Sequence, residues 1–175
     1  MAGESHWARD IHDVFTARGI AIVSYVPDAG HTRLIELCRA DATMRAVPLS
    51  TEEEGVALAA GAWLGGRRAA LLMQSSGVGN CVNMFSLIKG CGFPFLTIVT
   101  MRGEFGEFNP WQVPMGQAVP AVLAAMGVIV QRAEAPGDVR DVVDGAAGLA
   151  FGSGCGVAVL LSQRLLGVKR FGEGQ

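Results

Sequence analysis

An α/β domain built on a parallel sheet is the fold this sequence predicts, and three observations predict it. Apolar segments of strand length alternate with segments of helical period along most of the chain. The strand segments, such as Ala69 to Met73, are apolar nearly throughout, as in a sheet covered on both faces. Short breaks separate them, with no low-complexity linker and no internal repeat. The expected architecture is a single three-layer α/β/α domain over residues 1–175, with a six-stranded, mostly parallel sheet.

The elements follow in order. Trp7, Ile11, Val14 and Phe15 mark one face of a first helix, which Gly19 closes. An apolar strand over Ile20 to Val26 comes next and stops at Pro27-Asp28-Ala29-Gly30. A helix is predicted over Thr32 to Arg39, then a short strand near Arg45 to Pro48. Helix 52–65, strand 69–74, helix 80–89 and strand 95–101 continue the alternation. A long irregular loop runs from Arg102 to Pro114. Helix 116–126, strand 127–131, helix 137–150 and strand 156–161 complete the series. The glycine-bearing tail, about 166–175, is expected to be mobile.

Composition narrows the class of function. Half of the residues are hydrophobic and only 17% are charged, a balance that calls for a buried interface with another chain. A net charge of −2 argues against a partner held through nucleic-acid phosphates. The apolar stretches are of strand length, too short for a membrane span. Met1 to His6 carry neither the basic region nor the apolar core of a secretory signal. Four cysteines and three histidines show no CxxC and no metal-ligand spacing, so reduced thiols in a cytoplasmic protein are the simplest reading.

Chemistry concentrates in three segments. Ser50-Thr51-Glu52-Glu53-Glu54-Gly55 sets acids at the start of one predicted helix. Gln74-Ser75-Ser76-Gly77-Val78-Gly79-Asn80 sets a glycine turn at the start of the next. In an α/β sheet both helix starts lie on the edge where ligands bind, so a carboxylate and a close-approach backbone face one pocket. The Arg102 to Pro114 loop follows a strand and belongs to the same edge, as a pocket lid, a subunit contact or a solvated turn.

Each motif also has a purely structural explanation. Ser50 or Thr51 with Glu53 or Glu54 fits a capping box, and carboxylates suit a helix start electrostatically. Gly77-Val78-Gly79 fits a tight strand-to-helix connection. As a dinucleotide fingerprint it fails, because Val82 occupies the last glycine position. His31 beside Asp28 fits a cap of the following helix as well as a catalytic group. Cys81 near a helix start has no histidine close in sequence to activate it as a nucleophile.

The stretch from Glu52 to Asn83 resembles the pyrimidine-binding (PYR) domain of thiamine diphosphate enzymes. That domain carries Glu-x8-Gly opening a small-residue helix, matched by Glu52 to Gly61. It also carries a strand ending in Ser/Thr-Ser/Gly-Gly-x-Gly, matched by Ser75 to Gly79. Val26-Pro27-Asp28, Met73-Gln74, Met101-Arg102-Gly103 and Pro114-Met115-Gly116 are similar to segments of the sulfopyruvate and phosphonopyruvate decarboxylases, and the likeness spans roughly residues 10–165. Two departures stand out. Thr51 occupies a position where many such enzymes have histidine, and Val78 one where many have proline. Neither removes the glutamate.

The resemblance implies a cofactor and a division of labour. Thiamine diphosphate becomes a nucleophile by losing a proton from its thiazolium ring, and a carboxyl hydrogen-bonded to N1′ of its aminopyrimidine favours the tautomer that takes this proton. That role falls on Glu52. Ser76, Gly77, Val78, Gly79 and Asn80 are implied as further cofactor contacts. Arg102, Asn80 and His31 are implied as contacts for a 2-oxo acid bearing a sulfonate or phosphonate, oxyanions that an arginine fork matches well. The family holds the diphosphate through Mg²⁺ on a Gly-Asp-Gly…Asn motif. Here the one Asp-Gly is Asp144-Gly145, and the last asparagine is Asn109. The implied metal ligands therefore belong to a separate β subunit with a diphosphate-binding (PP) domain, in a hetero-oligomer. The expected activity is sulfopyruvate to sulfoacetaldehyde and CO2. The alternatives are a phosphonopyruvate decarboxylase subunit, a non-catalytic PYR-like scaffold and a nucleotide-binding module.

Overall fold

The computed structural model describes residues 6–167 of the chain. Most of the tail segment expected to be mobile lies outside them; the short final helix Gln163–Leu166 ends where that tail begins. The chain alternates α1 (His6–Ala17), β1 (Ile20–Tyr25), α2 (Thr32–Ala40), β2 (Arg45–Pro48), α3 (Glu53–Leu64) and β3 (Arg68–Gln74). It continues through α4 (Ser75–Cys81), α5 (Ser86–Cys91), β4 (Phe95–Thr100), α6 (Val113–Ala125), β5 (Ile129–Ala133), α7 (Val139–Ser153), β6 (Gly156–Leu161) and α8 (Gln163–Leu166). The six strands form one sheet in the order β2-β1-β3-β4-β6-β5, and every neighbouring pair is parallel.

Right-handed crossovers dictate where the helices go. Connections that advance across the sheet place α3, α4, α5 and α6 on one face. Those that step back place α2 and α7 on the other face, where α1 joins them. Alternate residues of each strand serve the two layers. Ala70, Leu72, Leu96 and Ile98 pack with Ile11, Leu34 and Val143 of α1, α2 and α7. Leu71, Met73, Phe95 and Val99 pack with Val56, Val78, Ile88 and Leu123 of α3 to α6. Burial on both faces is why β4 and β6 are buried at all six positions.

The alternation expected from sequence is present in full, with one element misread. The predicted helix 80–89 is two helices, and the first starts at Ser75, directly on the last residue of β3. Gly77 and Gly79 thus lie in helical backbone rather than in a turn. Helix 116–126 starts three residues early, at Val113, because Pro114 is accommodated in a first turn that needs no backbone N–H. No side chain caps α3; instead the Glu54 carboxylate accepts the Ser50 N–H at 2.9 Å, so only half of the expected box forms.

Phe95 is fully buried in β4, with its ring centroid 6.0 Å from that of Phe85. Truncating Phe95→Ala is expected to cost about 3–5 kcal/mol, read as a lower urea midpoint at unchanged slope. A cost below about 1 kcal/mol would contradict this packing.

Candidate active site

The C-terminal edge of the sheet gathers the functional side chains. Between β1 and β3 the chain changes direction, since β1 feeds α2 on one face and β3 feeds α4 on the other. Open α/β sheets bind ligands at such a crevice. Two concavities flank it. One, of about 330 Å³, is bordered by Asp28, Gln74, Thr100, Arg102, Arg33 and Gln163. The other is a groove of about 780 Å³ between α4 and the start of α6, lined by Ser76, Gly79, Asn80, Trp111, Pro114 and Met115.

Glu52 sits at the entry to α3 and is only 9% exposed. Its Oε2 accepts a hydrogen bond from Asn80 Nδ2 at 2.7 Å. Its carboxyl lies against the backbone of Gly77, where an added Cβ would come within 2.6 Å of the carboxyl carbon and Oε1. Within the described residues no hydrogen bond uses Oε1. Gly79, two residues on, faces Met115, whose sulfur would lie 3.2 Å from a Cβ at this position. Val78 points the other way, into the core. Glu52, at the entry to α3, is thereby joined through Asn80 to the groove that Asn80 and Gly79 of α4 line.

A hydrogen-bonded chain links this helix to the first concavity. Ser76 Oγ donates to Gln74 Oε1 at 3.0 Å, and Gln74 Nε2 donates to Asp28 Oδ1 at 3.0 Å. Asp28 Oδ2 accepts from Thr100 Oγ1 at 2.8 Å and from the Gly30 N–H at 3.1 Å. Gln74 and Thr100 end β3 and β4, and Asp28 lies in the loop that follows β1. Gln74 was read from sequence only as the first residue of a motif and Thr100 was not singled out, although their place at the ends of β3 and β4 was the available signal.

Arg102 is not the free fork expected from sequence. Its Nε and Nη2 each donate to Glu107 at 2.6 Å, and its guanidinium lies over the Phe108 ring. Glu107, with a side chain 3% exposed, also accepts from the backbone of Gly103 and Asn109 and from Gln163 Nε2. It was missed in the sequence, where it reads as one more loop acid. The arginine fork holds the Glu107 carboxyl down to about 2, against the upward push of burial.

His31 is fully buried at the start of α2, and its ring caps nothing. Its Nε2 lies 3.3 Å from the Met73 carbonyl and 3.2 Å from that of Ile98, so Nε2 carries the proton. Burial lowers its pKa, leaving a neutral ring that lines neither concavity. Cys81 is buried as well, and burial pushes its thiol up to about 12, which removes it as a nucleophile. Among the described residues no group of three or more His, Cys, Asp or Glu side chains could hold a metal ion, and no helix is long and apolar enough to cross a membrane.

The Glu107 pair has a pH signature. Its folded-state carboxyl titrates below the ordinary 4.5, so its contribution is full above pH 4.5 and is lost as pH falls toward 2. Over that window the chain is expected to lose on the order of 2–3 kcal/mol of stability from this group. Glu107→Gln is expected to flatten that part of the curve. Urea unfolding at several pH values reads it, and an unchanged slope in the variant would refute the assignment.

No model of a known protein family matches the chain. It is 36% identical, over 82% of its length and 87% of the relative's, to the sulfopyruvate decarboxylase subunit alpha of Methanothermobacter thermautotrophicus. It is 38% identical to the phosphonopyruvate decarboxylase of Streptomyces viridochromogenes, over 57% of this chain but 25% of that protein. Among solved structures it is similar to a 2-oxoglutarate:ferredoxin oxidoreductase from Magnetococcus marinus, with a TM-score of 0.75 at 16% identity, covering 91% of this chain and 29% of that one. That likeness shows the fold. At its level of identity and near-complete mutual coverage with the archaeal relative, this chain belongs to the sulfopyruvate decarboxylase α-subunit family of decarboxylases.

Proposed function

We propose that the chain is the α subunit of a two-subunit, thiamine diphosphate-dependent decarboxylase that converts sulfopyruvate to sulfoacetaldehyde and CO2. The observation that carries the reading is the Glu52 carboxyl, packed on Gly77 and held by Asn80 at the edge of an open groove. A carboxylate so placed can accept a hydrogen bond from a flat heterocycle lying over bare backbone. The names of the similar proteins, sulfopyruvate decarboxylase subunit alpha, support the subunit reading.

The residues present fit the pyrimidine half of the cofactor. Glu52 Oε1 would take the ring N1′, with Gly77, Val78 and Gly79 providing the close backbone and Ser76 and Asn80 the polar border. When bound, thiamine diphosphate supplies the nucleophilic carbon and the electron sink for loss of CO2. Asn80 fixes the Glu52 rotamer through Oε2, which leaves Oε1 to share a proton with the ring. The Mg²⁺ ligands are assigned to a β subunit with the Gly-Asp-Gly…Asn motif, and the free thiols Cys38, Cys81, Cys91 and Cys155 suit a reducing cytoplasm.

Product aldehyde and CO2 are measured from sulfopyruvate, phosphonopyruvate and pyruvate, with the chain co-expressed with its β subunit. Sulfopyruvate is expected to be preferred, with turnover only when both chains are present; preference for phosphonopyruvate would reassign the substrate. Glu52→Gln is expected to lower kcat by about 10²-fold or more. A fully active Glu52→Gln enzyme would sink the cofactor role.

Gly77→Ala is expected to act through position rather than charge. Its Cβ must displace the Glu52 carboxyl, so thiamine diphosphate affinity, measured by calorimetry, is expected to fall at least tenfold while the fold is kept. Unaltered affinity in this variant would show that the Glu52–Gly77 contact does not serve the cofactor.

A further inference from the structure

We propose that Trp111 is the principal anchor by which the diphosphate-binding subunit docks on this chain, covering the groove beside Glu52. This inference rests on the functional reading above and names the surface that the partner occupies. Trp111 is 83% exposed, yet the loop that carries it is tied by a chain of hydrogen bonds. Its own N–H donates to Asn109 Oδ1 at 3.1 Å, the Asn109 N–H donates to Glu107 Oε1 at 2.9 Å, and Glu107 is locked by Arg102. At the loop's other end a Cβ on Gly103 or Gly116 would overlap the backbone opposite, so the two ends are in direct contact. A large apolar side chain held outward on a rigid support loses little entropy on binding, as do the residues that dominate interfaces.

The surroundings point the same way. Pro110, Pro114 and Met115 extend an apolar surface from Trp111 to Gly79 and Asn80, and so to Glu52. Helix α6 carries one polar residue, Gln117, and Val113 is 38% exposed on it. A helix apolar on both sides is covered in the assembled protein. The occupant follows from what the site lacks. This groove holds a pyrimidine contact but no set of carboxylates for a metal–diphosphate among the described residues, so the chain that covers it must bring them. A second copy of this chain would bring none.

The test mixes the separately purified chain with its β subunit and measures association by sedimentation velocity, with thiamine diphosphate and Mg²⁺ present. Trp111→Ala is expected to raise the dissociation constant about 30- to 300-fold, and Trp111→Phe to recover most of the loss. Arg39→Ala, at an exposed position of α2 in the opposite layer, is expected to leave association unchanged. An unaltered thermal midpoint of isolated Trp111→Ala shows that the loop is intact. Wild-type association by Trp111→Ala overturns the inference and leaves the functional reading standing. So does loss of self-association of this chain alone, which would make a second copy the occupant. An active Glu52→Gln complex overturns the functional reading instead, and a wild-type pair that never associates overturns both.

Discussion

The contact between the Glu52 carboxyl and the backbone of Gly77 is the constraint around which the ligand edge is built. It requires α3 and α4 to start close together, and only a residue without Cβ permits that approach. Gly77 is not needed for its dihedral freedom, since it sits in ordinary helical backbone. It is needed for space. Two glycines in one short helix cost roughly 1 kcal/mol each in intrinsic propensity, and α4 tolerates this because Val78 and Cys81 bury against the sheet. Asn80, one turn on from Gly77, completes the contact by holding Oε2. The spacing of three residues puts both on the side of α4 that faces Glu52.

A second acid organises the neighbouring loop by a different route. Glu107 is nearly buried, and a carboxylate in that position is expensive unless paired and fully hydrogen-bonded. Here Arg102, Gln163 and two backbone N–H groups all converge on it. Such a pair adds little net stability over an apolar replacement. What it does is hold residues 102–113 in one conformation, so that an exposed tryptophan has a fixed address. Arg132, paired with Glu104 at 2.7 Å, and Gln163, whose Oε1 accepts the Glu104 and Phe105 N–H groups, extend the same network to β5 and α8.

The fold was legible because the inner strands β3, β4 and β6, buried on both faces, leave continuous apolar runs, and these and the shorter strand segments alternate with helical periods. Glu52 and Gly77 were legible through the motif they share. What the sequence could not show was the helix starting at Ser75. Glycines that close to a strand end read as a turn, and the reason Gly77 carries no Cβ is a side chain 25 residues earlier in the chain. The partners of Arg102 and His31 were hidden for the same reason. A lone arginine and a loop histidine look available until the fold brings Glu107 to one and the Met73 and Ile98 carbonyls to the other. Local sequence carries spacing, and partners set by tertiary packing lie outside it.

The two helical layers differ in a way that bears on why the site is open. On the α1, α2 and α7 side the outer surface is charged, and Arg140 of α7 bridges Asp10 and Asp13 of α1. That layer is finished as a solvent-facing surface. On the other side, α3 beyond its acidic first turn is all apolar or glycine, and α6 has one polar residue. Covering the second layer removes exposed apolar surface at roughly 25 cal/mol per Å², and the same cover would seal the groove beside Glu52. Exclusion of water strengthens any hydrogen bond made by that carboxylate. Association and the chemistry expected of Glu52 therefore draw on one surface, which accounts for a small chain carrying so few charges on the layer that holds its acid.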